Sequence, residues 1–203
     1  MIKQIANELK DHVPFTALGA LTGIAIMVIV IIGNVHPRIS QGIFYTLHPL
    51  HVILSALVTT AIFKRHSQGK LLPAVLIGYS GSVGIATISD CIIPYLGGTL
   101  LNVTMEFHVG FIEKWWLVNP LAFAGIILGY LRPTTKIPHS GHVLLSTWAS
   151  LFYFTAFGIT PWIPLLPFVF IFLLLAVWLP CCLSDIMFPL LFTGNETTKK
   201  AII

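Results

Sequence analysis

His48, His51, His139 and His142 form two His-x-x-His pairs, in the segments HPLHVILS (48–55) and HSGHVLLS (139–146). On a helix, residues three apart share one face, with Cβ atoms about 5–6 Å apart. Two neutral imidazoles so placed can share one divalent cation at about 2.0–2.1 Å each. Ser55 and Ser146 follow the second His of each pair by four residues and fall on the same face. The plainer reading is that each His only bonds a neighbouring helix. Recurrence of the whole pattern argues for a shared ligand role instead.

A second motif also recurs. Residues 89–94 read SDCIIP and residues 184–189 read SDIMFP. Proline has no N–H and cannot serve the carbonyl four residues back. Counting back from Pro94 and Pro189 gives Asp90 and Asp185. Each Asp is therefore predicted to present its carboxylate together with an unpaired carbonyl, with Ser89 or Ser184 adding a hydroxyl. Such an oxygen-rich anionic spot suits a cation. An acid inside a membrane span costs about 2.5–3.5 kcal/mol on the insertion scale and marks a functional site by default. The alternative is a pair of solvated helix ends.

The elements that must carry these groups are apolar. The chain has 203 residues, 56% of them hydrophobic and 9% charged. Its mean hydropathy is +0.91. A soluble domain carries about 25% charged residues, so a soluble enzyme and a disordered chain are both excluded. Three cysteines, Cys91, Cys181 and Cys182, cannot make a disulfide scaffold. Six continuous apolar runs appear: Pro14–Gly33, Ile43–Phe63, Leu71–Ile93, Trp115–Leu131, His139–Ile159 and Ile163–Phe188. Runs without alternation read as helices rather than barrel strands. The amino-terminal residues MIKQIANELKDH read as a short amphipathic lead-in rather than a removed signal peptide.

The two motifs belong to a longer repeat. Pro14, Gly19 and Gly23 precede the first HxxH, and Pro120, Gly125 and Gly129 precede the second at the same spacing. The order Pro/Gly/Gly, HxxHVxLS, SDxxxP thus occurs twice, at separations of 106, 91 and 95 residues. The expected fold is an all-α polytopic membrane protein, one transmembrane domain of two three-helix repeats, about 11–96 and 117–191. Three spans per half is an odd number, so the halves must enter the membrane from opposite sides. Inverted repeats of this kind are typical of secondary transporters.

Nine loop or terminal Lys and Arg fall on one side of the six spans, and only Arg38 and Lys114 on the other. The positive-inside rule then puts both termini in the cytoplasm. Trp115, Trp116 and Trp162 are expected as anchors at the outer interface. By depth, His48, His51 and Asp90 form an outer cluster, with Glu106, His108 and Glu113 as additions from the loop. His139, His142 and Asp185 form an inner one. Mixed imidazole and carboxylate ligands suit Zn, Fe, Mn or Ni as bound ion or substrate.

The leading expectation is a carrier that moves a divalent transition metal by alternating access. Its partners are the lipid bilayer and the metal ion or protons, with a homodimer possible and no nucleic acid. One alternative is an intramembrane metal-dependent hydrolase acting on a lipid-like substrate. The Ser, Asp and paired His are similar in kind to those of ceramidase-like membrane hydrolases, which carry HxxxH and seven spans where this chain has HxxH and six. Further alternatives are a bis-His haem protein and a proton-coupled carrier of a small organic solute.

Overall fold

The computed structural model describes residues 2–67, 70–132, 136–182 and 188–192. The chain is mostly helical, at 85%. The helices are α1 (Ile2–Ile32), α2 (Pro37–His66), α3 (Leu71–Leu100), α4 (Gly110–Glu113), α5 (Trp115–Leu131), α6 (Lys136–Phe157) and α7 (Leu166–Cys182). A 3₁₀ turn, Ile163–Leu165, leads into α7, and one short turn of helix follows at Phe188–Leu191. Two helical stretches, Pro37–Arg65 and Leu71–Leu100, are long and apolar enough to cross a membrane. Thr16–Ile32, Trp115–Leu131 and Ile163–Trp178 are apolar but shorter.

Local chemistry explains several boundaries. At the start of α2 the His36 ring accepts a hydrogen bond from the Arg38 N–H at 3.2 Å. Pro37 occupies the first helical position, where its missing N–H costs nothing. Two short strands, β1 (Thr104–Met105) and β2 (Gly158–Ile159), pair antiparallel with Thr104 opposite Ile159. They tie the segment after α3 to the end of α6.

The sequence predicts a third span that ends at Ile93, but α3 runs on to Leu100. The proline is absorbed by a wide turn. Residues Ile88–Ile92 are π-helical, with the Ile93 N–H reaching the Ile88 carbonyl. A second π segment spans Ser80–Gly84. Single π turns within α-helices occur often at functional sites, and this one carries Ser89 and Asp90.

Helices α2 and α6 pack against each other at the centre, α5 lies on α2, and α1 lies on α6 and α7. The principal core joins Met27, Phe44, Leu151, Tyr153, Phe154, Val169 and Leu173. Close approach of the helices depends on small residues. A side chain at Gly19 would meet Thr147 and Leu144, and one at Gly125 would meet Ile53 and Ala56.

Candidate functional site

Asp90 lies on the π turn of α3, fully buried. Its Oδ2 lies 2.9 Å from His48 Nδ1 and 2.7 Å from His51 Nδ1. Its Oδ1 accepts hydrogen bonds from the Ser89 hydroxyl at 2.7 Å and the Ser146 hydroxyl at 2.8 Å. Four donors from three helices therefore converge on one carboxylate. Ser150 braces the frame by donating to the backbone carbonyls of Ser89 (3.0 Å) and Ser146 (2.8 Å). Ser150 was no part of the expected set. Its signal was its place one turn after Ser146 on the same face.

The geometry sets the imidazole tautomers. An ionised carboxylate only accepts, so both rings place their hydrogen on Nδ1. When neutral, each then carries its lone pair on Nε2. The buried Nε2 of His48 has no hydrogen-bond partner among the described residues. A carboxylate holding one ring nitrogen so that the other is free to ligate is the common arrangement behind metal-binding histidines. Among the described residues, however, no three His, Cys, Asp or Glu side chains are grouped so as to hold a metal ion.

Two separate clusters were expected, one in each half. Instead, His142 and Ser146 join the first-half residues. The buried His142 ring stacks on His51, with centroids 5.6 Å apart and planes within 9°. Because α2 and α6 cross at their His-bearing turns, second-half side chains reach the first-half carboxylate. The side chain of His139, together with Ser184 and Asp185, lies outside the described residues. Ser55 is buried on α2.

Glu106, His108 and Glu113 form a neighbouring group and do not contribute to the hydrogen bonds that Asp90 accepts. His108 Nδ1 lies 2.9 Å from Glu113 Oε1, and its Nε2 lies 3.4 Å from Glu106 Oε2. Phe44 and Phe157 stand between the groups. Phe44 stacks on His48 at 5.4 Å, and Phe157 stacks on His108 at 4.1 Å. The Tyr45 hydroxyl donates to Glu113, and the Val109 N–H does so at 3.1 Å. Tyr45 and Tyr153 (below) had no signal in the sequence, because neither is matched by a tyrosine at its repeat position.

Partial burial alone would raise the Glu113 pKa, but the bonds from Tyr45, His108 and Val109 outweigh it and hold the acid below the usual carboxylate range. A depressed pKa contributes stability above the unfolded value, about 4.3 for glutamate, that is lost as pH falls through the folded one. Tryptophan fluorescence from the adjacent Trp115 and Trp116 should therefore change in acid, below the ordinary glutamate range. Glu113→Gln should remove that transition. A transition unchanged in the variant would show that Glu113 is not its source.

Comparison with protein-family models, curated proteins and solved structures finds no match to this chain. Function must be read from the site. Neither serine at Asp90 bonds an imidazole, because both donate to the carboxylate. The serine–histidine pair that would activate a nucleophile is thus not assembled there. Nor can His48 and His51 ligate opposite faces of one haem while both are tied to the same oxygen.

Proposed function

We propose that this chain is a multi-pass membrane carrier whose cargo is a divalent transition-metal cation. The observation that carries this reading is the buried Nε2 of His48, without a hydrogen-bond partner among the described residues, in a ring whose other nitrogen is held by Asp90. His48 and His51 would offer Nε2 lone pairs to the cargo. Asp90 would act through the rings, fixing their tautomer and balancing the cation's charge. This replaces the direct ligation by Asp90 that spacing alone suggests. Zn, Fe, Mn and Ni suit imidazole donors.

The six-span inverted repeat, with both termini cytoplasmic, belongs to the same proposal. Repeat-equivalent contacts support it. Gly19 abuts Leu144 and Thr147, and the counterpart Gly125 abuts Ile53 and Ala56, each contact offset by the same repeat spacings. The stacked pair His51 and His142 are themselves repeat equivalents, as expected of residues beside a two-fold axis. Two equivalent packings of such halves would expose the site to either side in turn.

The test is cobalt binding by the purified protein, read by its visible spectrum, with uptake into proteoliposomes. Binding with uptake, both reduced in His48→Gln, is the expected result. Binding without uptake, accompanied by cleavage of a lipid, would favour the hydrolase. Absence of both would remove the metal reading. A second reading is a proton-coupled carrier of a small organic solute. It is favoured by the hydrogen-bonded line His48–Asp90–His51. Solute uptake driven by a pH gradient in metal-free buffer would select it.

A further inference from the structure

The segment 104–113 lies across the end of the bundle nearest His48. A Cβ added to Gly110 would fall 2.5 Å from His48 Cδ2 and 2.8 Å from its Nε2. The Gly110 N–H is directed toward the sulfur of buried Cys91, the residue after Asp90. Gly110 therefore closes directly over the buried His48 Nε2, which has no hydrogen-bond partner among the described residues. Any larger residue there would push the segment off the ring.

Two tyrosines hold the segment in place. Tyr153, on α6, accepts a hydrogen bond from the His108 N–H at 2.9 Å. Its own hydroxyl proton is offered to the carbonyls of His108 (3.2 Å) and Glu106 (3.3 Å). Tyr45, on α2, donates to Glu113, and Lys114 sits over its ring at 5.1 Å. One clasp comes from each half of the chain. The strand pair Thr104–Ile159 and Met105–Gly158 anchors the segment's start. Its far end is held by the side-chain clasps, by the turn of α4 where it runs into α5, and by Phe111, which packs against the cluster of Val52, Val83, Ala86, Val118 and Ala122.

We infer that residues 106–113 are a gate over His48, hinged at the β1–β2 pair, latched by Tyr153 and Tyr45, and closed in this structure. Opening would lift Gly110 from the His48 Nε2 and from Cys91, admitting water and solute to the Asp90 centre. Tyr153 and Tyr45 are positioning residues, since neither touches Asp90. The inference deepens the carrier reading by naming the door to its site, but the observable that tests it needs no transport.

Cys91 reports on the gate because it lies beneath Gly110. With C181A/C182A it is the sole thiol of the 203 residues. Its modification by a charged methanethiosulfonate can be followed by mass in the detergent-purified protein. Labelling should be slow when the gate residues are intact. Tyr153→Phe and Glu113→Gln each delete latch hydrogen bonds while keeping size. Each should speed labelling by about tenfold, the factor that one net hydrogen bond of ordinary strength is worth. The double variant should be faster still. Fast labelling with the latches intact, or no acceleration in any variant, overturns the gate. Thermal unfolding of each variant separates gate opening from general loosening. If Tyr153→Phe proves unstable, Glu113→Gln, on the exposed side, decides the matter alone. Accelerated labelling with no metal binding by the parent protein would leave the gate standing and remove the carrier.

Discussion

Asp90→Asn is expected to reduce metal uptake and cobalt binding by about 10- to 100-fold, the usual cost of losing the group that orients a ligating histidine. Two donors face each carboxylate oxygen: the two imidazole N–H groups meet Oδ2 and the two serine hydroxyls meet Oδ1. An asparagine has one oxygen and one NH₂. Whichever way it turns, its NH₂ faces two groups that donate in the wild type, and these must rotate a hydroxyl or switch tautomer in order to accept. A buried donor left unsatisfied by that rearrangement costs about 1–3 kcal/mol, so the variant should also melt earlier. Charge and tautomer control are lost together. Wild-type uptake by Asp90→Asn, with a wild-type cobalt spectrum, would take away the centre of the carrier reading. Ser146→Ala removes only one donor and should be the milder change in both measurements.

The second large effect concerns assembly. Gly125→Ala should destabilise the folded chain by about 1–3 kcal/mol, the range for overpacking a filled interior. The new methyl would collide with the backbone carbonyl of Ile53 and lie 2.8 Å from the Ala56 Cβ. A carbonyl on a central helix cannot rotate away as a side chain can. Gly19→Ala is the control. There the nearest atom is the Thr147 hydroxyl at 3.0 Å, with Leu144 at 3.5 Å. Both are side chains that can shift, so the loss should be smaller. Denaturant unfolding in detergent compares the two directly, and equal tolerance would show that α5 does not press on α2 as described.

Much of this site was legible before any coordinates. The i, i+3 spacing put His48 and His51 on one face of α2, and Ser-Asp spacing put a rare acid in an apolar helix. Both rings do meet Asp90. What spacing could not reveal was which helices cross. HxxH pairs on antiparallel helices can lie at opposite ends or at a common crossing, and only the packing of α2 on α6 brings His142 to His51. The π turn was hidden for a related reason. A proline removes one backbone bond, but whether the helix breaks or widens depends on what its neighbours hold. Tyr45 and Tyr153 were invisible because their partners lie in an irregular loop, whose path obeys no period.

The saturation of Asp90 has a kinetic meaning. An ionised carboxylate offers about four lone-pair sites, and four protein donors already occupy them. The carboxylate is in effect solvated by serine and histidine instead of water. A cation that came to bind an Asp90 oxygen could not simply add. It would have to substitute, with one donor leaving as it arrived, as in ligand exchange around a metal complex. At high cation concentration the rate would then be set by departure of the most weakly held donor and would no longer rise with concentration. A cation that ligates only the imidazole Nε2 atoms avoids this exchange and reaches its ligands with Asp90's donors in place.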